Sequence, residues 1–113
     1  MPELFLTNVR VEDGAAVVDL HGEINGAAES ALNSAYQQAE QANTSSIVLN
    51  FQDVVYINST GIALIVGLLA QARKAHRRLV VYGLSEHYQE IFRITRLSDF
   101  MTIYSDEKSA LAG

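Results

Sequence analysis

The sequence contains no cysteine, so disulfides and thiolate metal sites are excluded. It has no apolar run long enough to cross a bilayer as a helix. The most apolar stretch, Gly61 to Ala70, falls well short of the ~20 residues a span needs. The start, Met1-Pro2-Glu3-Leu4, lacks the basic and apolar regions of a secretory leader. Membrane insertion is therefore not expected, and the expected location is the cytoplasm. Neither G-x-G-x-x-G nor a P-loop occurs. The three histidines, His21, His76 and His87, have no histidine or carboxylate partner at a recognisable metal spacing. No metal and no cofactor are expected. An excess of positive charge is also missing: the formal net charge is −5, which argues against nucleic acid as a partner. The one basic cluster is Arg73, Lys74, His76, Arg77 and Arg78. It reads as the C-terminus of a helix, where cations complement the dipole.

What is present is a foldable chain. With 113 residues, 49% of them hydrophobic and 19% charged, the expectation is one domain spanning residues 1–113. Leu4 to Val11 reads as a strand, with Phe5, Thr7, Val9 and Val11 on one face. Asp13-Gly14 is a hairpin turn, and Ala15 to His21 returns antiparallel. Gly22 to Gly26 reads as a loop. A helix follows from about Ala27 to Gln41, with Ala28, Leu32, Ala35, Tyr36 and Ala39 on one stripe. Ser46 to Phe51 is a strand whose Ile47-Val48-Leu49 run predicts cover on both faces. Gln52-Asp53 reads as a turn and Val54 to Ile57 as a further extended piece.

A second helix is predicted from about Thr60 to His76, then a strand from Leu79 to Tyr82. Ser85 is positioned to cap a helix from Glu86 to about Thr95. Met101 to Tyr104 is a last strand. Ser105 is expected to cap a terminal helix, with Asp106 and Glu107 in its first turn. The fold class is α/β: a mixed, mainly parallel sheet with an N-terminal antiparallel hairpin and about four helices.

The informative segment is Asn58-Ser59-Thr60-Gly61, small polar residues at a helix start. Asn, Ser and Thr all cap helices well, and Gly61 permits close packing on the sheet. The same helix start suits an anion, because its first amides are unpaired and carry partial positive charge. A phosphate on Ser59 would add nearly two negative charges there without melting the helix. Catalysis by Ser59 is not expected. The G-x-S-x-G pattern of a nucleophile elbow is broken by Ile57, and no ordered Asp and His follow. The following helix is apolar nearly all round. Ile62, Ile65, Val66 and Leu69 are expected to face the sheet. Leu64 projects away from them with Leu68 beside it, which offers a docking face.

These residues resemble a known family. Val54-Val55-Tyr56-Ile57-Asn58-Ser59-Thr60-Gly61-Ile62, followed by an apolar helix, is similar to the signature of the STAS domain, named for sulfate transporters and anti-sigma factor antagonists. Leu20-His21-Gly22-Glu23-Ile24-Asn25 resembles the family's loop after its second strand. Ile47 to Asn50, Leu79 to Leu84 and the ending through Ala110-Leu111 also fit. The resemblance implies a non-enzymatic, stand-alone anti-sigma factor antagonist in a partner-switching pathway. Such a protein binds an anti-sigma factor, a serine kinase of the histidine-kinase-like ATPase superfamily, until that kinase phosphorylates it. A metal-dependent serine phosphatase resets it. Ser59 matches the phosphoacceptor, with Thr60 as the neighbouring hydroxyl. Glu23, Asn25, Asn58, Ser59, Thr60, Gly61, Ile62 and Leu64 are the implied partner contacts. Family members commonly carry Asp where this chain has Asn25, Asn50 and Asn58. The alternative is a constitutive STAS subunit of an ABC-type lipid-transport complex, with no phosphate involved.

Overall fold

The computed structural model describes residues 5–112. Two residues with positive φ, Asp13 and Gly14, close the first hairpin. That pairing of conformations twists a tight turn to match its flanking strands. The hairpin joins β1 (Leu6–Glu12) to β2 (Ala15–Ile24), with Glu12 opposite Ala15. The expected start of β1 at Leu4 lies outside the described residues. From β2 onwards strands and helices alternate: α1 (Glu29–Gln41), β3 (Ser46–Ile57), α2 (Ser59–Lys74), β4 (Arg78–Tyr82), α3 (Glu86–Ile94), β5 (Thr102–Tyr104) and α4 (Glu107–Ala112). The sheet order is β1-β2-β3-β4-β5, antiparallel at the hairpin and parallel elsewhere. Right-handed crossovers stepping one way along a sheet put their helices on one side. Accordingly α1, α2 and α3 share a face, and the α/β architecture read from the sequence is the one observed.

The main core lies under those three helices. Ala16, Val18 and Leu20 of β2, Ile47, Leu49 and Phe51 of β3, and Leu79 and Val81 of β4 point into it. They meet Leu32, Ala35, Tyr36 and Ala39 of α1, as the helical stripe predicts, and Ile65, Leu68, Tyr88 and Phe92. Phe51 and Phe92 pack edge to face, 6.2 Å between ring centres. The opposite sheet face carries a smaller cluster, Ala15, Val17, Val48, Val80 and Tyr82, covered by Ala110 of α4.

Several local expectations need correction. Gln52-Asp53 is not a turn, because β3 runs through it. The ladder with β2 shifts register between Asp19 and His21, and the Asn50 side chain accepts from the Gln52 amide at 2.9 Å. The polar pair marks a bulge that bends the strand without ending it. Gly22 to Ile24 is strand and not loop: Glu23 pairs with Tyr56 and Ile24 with Ile57. A 3-10 turn, Gly26–Ala28, then precedes α1. At α4 the capping acceptor is Asp106, not Ser105, since its Oδ1 accepts from the Ser109 amide at 2.8 Å. Ser85 caps α3 as expected, accepting from the Tyr88 amide.

The basic cluster does sit at a helix end. Arg73 and Lys74 occupy the last turn of α2. Arg77 reaches the Thr44 carbonyl, Asn43 and Glu40, and Arg78 donates to the Tyr104 hydroxyl. Just beyond α1, α2 and α3 stand Asn43, His76 and Arg96, all left-handed (φ 54°, 57° and 66°) and none of them glycine.

Candidate functional site

Two strand ends build the site. β2 and β3 pair as far as Ile24 and Ile57, so the connection leaving β2 lies beside the one leaving β3. Glu23 and Asn25 are thus brought to the same end of the sheet as Asn58 and Ser59. The Asn58 amide donates to the Ile24 carbonyl at 3.2 Å, which ties the two connections together. Asn25 has a structural task of its own. Its Oδ1 accepts from the Ala27 amide at 2.9 Å, capping the 3-10 turn, and its Nδ2 faces Glu23 at 3.5 Å.

Of the three hydroxyl or amide residues at the head of α2, Asn58 is the cap. Its backbone is extended and its Oδ1 accepts from the Gly61 amide at 2.8 Å. Ser59 is then the first helical residue, and both Ser59 and Thr60 are exposed. By helix geometry their amides have no intrahelical acceptor. The Ser59 hydroxyl therefore sits in solvent at the positive end of a helix.

Gly61 explains how α2 is seated. A Cβ at this position would lie 2.1 Å from the Ile24 carbonyl oxygen, so only glycine permits the approach. This contact turns Gly61 to the sheet, and with it Ile65, Leu68 and Ala72 at helical spacing; Leu69 is also buried. The sequence reading centred the inner stripe one step away. Val66 faces outward, 43% exposed, and Leu68 is buried at 1%. Ile62 and Leu64 are half-buried on the flanks, each packed against the core. The outward stripe instead runs Ser59, Ala63, Val66, Ala70 and Arg73, all exposed.

Two exposed apolar residues escaped the sequence reading. Val55 and Tyr56, at the end of β3, are 55% and 52% exposed. The signal was there: a strand with one face on the core buries alternate residues, so four apolar residues in a row, Val54 to Ile57, must show some to solvent. Val54 and Ile57 pack inward, and the strict alternation is broken by a register shift between Gly22 and Glu23 that skips Val55, so two consecutive residues face out.

The Tyr88 hydroxyl meets both backbone groups of Ile57, accepting from its N–H at 2.8 Å and facing its carbonyl at 3.4 Å. Asn50 donates to Asp19 at 2.8 Å while accepting from the Gln52 amide, a pair of roles that an ionised aspartate in its place could not fill. Among the described residues no group of three His, Asp or Glu is placed to hold a metal ion, and no helix is long and apolar enough to cross a membrane.

Together these features describe a small α/β domain that presents a serine at a helix start beside apolar surface. The chain belongs to the STAS domain family, whose profile matches residues 7–110. It is 30% identical over 86 residues to an anti-sigma-B factor antagonist of Staphylococcus aureus, covering 76% of this chain and 80% of that protein. In fold it is similar to the crystal structure of an anti-sigma factor antagonist from Mycobacterium paratuberculosis, with a TM-score of 0.85 and 21% identity over 99% of this chain and 95% of that one. It is also similar to the Bacillus cell fate determinant SpoIIAA in its phosphorylated form, at TM-score 0.69 and 20% identity over 95% and 96% of the two chains.

Proposed function

We propose that this chain is a cytoplasmic anti-sigma factor antagonist whose binding is gated by phosphorylation of Ser59. The observation that carries the proposal is the placement of Ser59: exposed, at the first position of α2, in a helix start capped by Asn58, with exposed Val55 and Tyr56 at the end of the strand that leads into it. The kinship with a protein named anti-sigma-B factor antagonist supports it. Unmodified, the chain binds an anti-sigma factor that is also a serine kinase of the histidine-kinase-like ATPase superfamily. The contacts are Glu23, Asn25, Asn58, Ser59, Thr60 and the half-buried Ile62 and Leu64; Gly61, expected among them, is buried against Ile24 and serves by seating the helix that presents them. A phosphate adds about −2 of charge where a partner would pack. The helix start accommodates that charge, because the dipole favours an anion and Asn58 contributes no competing carboxylate. The fold therefore survives while the apolar contact is lost. A serine phosphatase restores the binding form. The chain acts as a kinase substrate and binding module, with no reaction of its own.

The test is intact mass and peptide mapping of protein taken from its own cells in growth and under stress. Phosphate on Ser59, with occupancy that changes between conditions, is the expected result. Ser59→Asp should weaken capture of the co-purifying kinase at least tenfold while its circular dichroism stays that of the parent. An unmodified serine in every condition, or undiminished capture by Ser59→Asp, would remove the switch.

A further inference from the structure

We infer that Tyr88 is the positioning residue for Ser59: its buried hydroxyl stands in for a missing strand and fixes the height of the helix start above the sheet. The inference rests on the function proposed for Ser59.

The geometry begins at the end of β4. The last β3–β4 pair is Asn50 with Tyr82. At Gly83 the chain turns away with φ +84°, passing so close to β3 that a Cβ there would lie 2.7 Å from the Gln52 amide nitrogen. Beyond this point β3 continues to Ile57 with a ladder to β2 alone. On the side that β4 has left, Ile57 is buried, and a buried amide or carbonyl without a partner is costly. Tyr88, at the third position of α3, fills the gap. Its hydroxyl takes both partner roles at one residue, accepting from the Ile57 N–H and donating to its carbonyl.

Ile57 is followed directly by the capping Asn58 and then by Ser59. On the other flank, Ile24 receives the Asn58 amide and abuts Gly61. The helix start is thus held from two sides, by a backbone carbonyl of β2 and by a phenol from α3. The phenol belongs to a side chain on another element, so a single oxygen can be removed without disturbing the ladder. Tyr88 itself is held by the Ser85 cap and by an edge-to-face contact with His87, ring centres 4.9 Å apart. Transfer of a phosphoryl group to Ser59 depends on where its hydroxyl stands, and small misplacements of a reacting group cost rate steeply.

The experiment compares the parent chain with Tyr88→Phe, which keeps the ring and loses the oxygen. A control, Tyr82→Phe, removes the hydroxyl that meets Glu107 on the other face of the sheet. Amide hydrogen exchange followed by NMR needs no partner. In Tyr88→Phe the Ile57 amide should exchange about tenfold faster relative to the Val48 and Val80 amides of the sheet interior; Tyr82→Phe should leave Ile57 unchanged. Steady-state phosphorylation is then measured with Mg·ATP and the serine kinase that co-purifies with the chain. Tyr88→Phe should lower kcat about tenfold with KM within twofold, while Tyr82→Phe keeps both. Unchanged exchange at Ile57 overturns the inference, as does a kcat equal to that of the control. Failure of the kinase to modify the parent chain overturns the function proposed for Ser59 and leaves the exchange result to decide the hydrogen-bond clamp.

Discussion

On one face of the sheet, three helices bury a continuous apolar layer that includes Tyr36, Ile65, Leu68 and Phe92. On the other, a single short helix covers a small apolar patch, and beside it lies a chain of polar groups. Arg10 forks across Asp19 and Glu107, Asn8 and Asn50 donate to Asp19, and the Tyr82 hydroxyl donates to Glu107. Burial is non-directional and nearly indifferent to pH. The polar chain is directional and tied to ionisation. Burial alone would raise the Asp19 carboxyl, but hydrogen bonds from Arg10, Asn50 and Asn8 hold it below the ordinary range. The Glu107 carboxyl is lowered by Arg10 and then by Tyr82, while burial and Glu107 push the Tyr82 phenol up. One face supplies bulk stability and seats α2; the other pins β1 and α4 in register and responds to acid.

Substitutions on each face should separate the two. The largest effect is expected for Phe92→Ala, about 4 kcal/mol in urea unfolding, from lost burial and a cavity beside Phe51. Next comes Gly61→Ala, about 3 kcal/mol, because the new methyl meets the Ile24 carbonyl and lifts α2. An unaltered midpoint for that variant would mean α2 is not seated by this contact. Asp19→Asn should cost less, about 1 kcal/mol at neutral pH, since the network is part-exposed. Its pH dependence is the sharper readout. Asp19 and Glu107 are lowered in the folded state, so their contribution is full above the ordinary carboxylate range and is lost as pH falls through the depressed values. The variant should therefore lose less stability than the parent on acidification, and equal acid slopes would dissolve the contrast between the faces. Asn58→Asp should change thermal stability by only a few tenths of a kcal/mol, because both residues cap well.

Much of this was legible in the residues. Asp13-Gly14 specified the hairpin, and Ile47-Val48-Leu49 announced a strand covered on both faces. The stripe from Ala28 to Ala39 placed α1, and Ser85 placed α3. Apart from the α4 cap, a local choice between Ser105 and Asp106, the failures share a physical cause, a contact made far along the chain. Gln52-Asp53 has the composition of a turn, but β2 supplies a ladder partner that keeps the strand going. The rotation of α2 was misjudged by one step because apolar residues lie on nearly every side of it. What decides its orientation is a glycine against the Ile24 carbonyl, a contact without apolar signature. Tyr88 lies inside the predicted helix from Glu86 to about Thr95, and nothing local shows that its hydroxyl reaches Ile57.

The three left-handed residues beyond α1, α2 and α3 have a practical side. An L-residue in that conformation costs roughly 1 kcal/mol that glycine would avoid. The protein folds with Asn43, His76 and Arg96 all in that state, so its helix ends retain mutational headroom. His76 stands past the far end of α2, about 24 Å along the helix from Ser59 by the standard rise. A glycine at that position would reinforce the helix from the end remote from recognition, so the robustness of this scaffold and the chemistry of its serine can drift, or be engineered, independently.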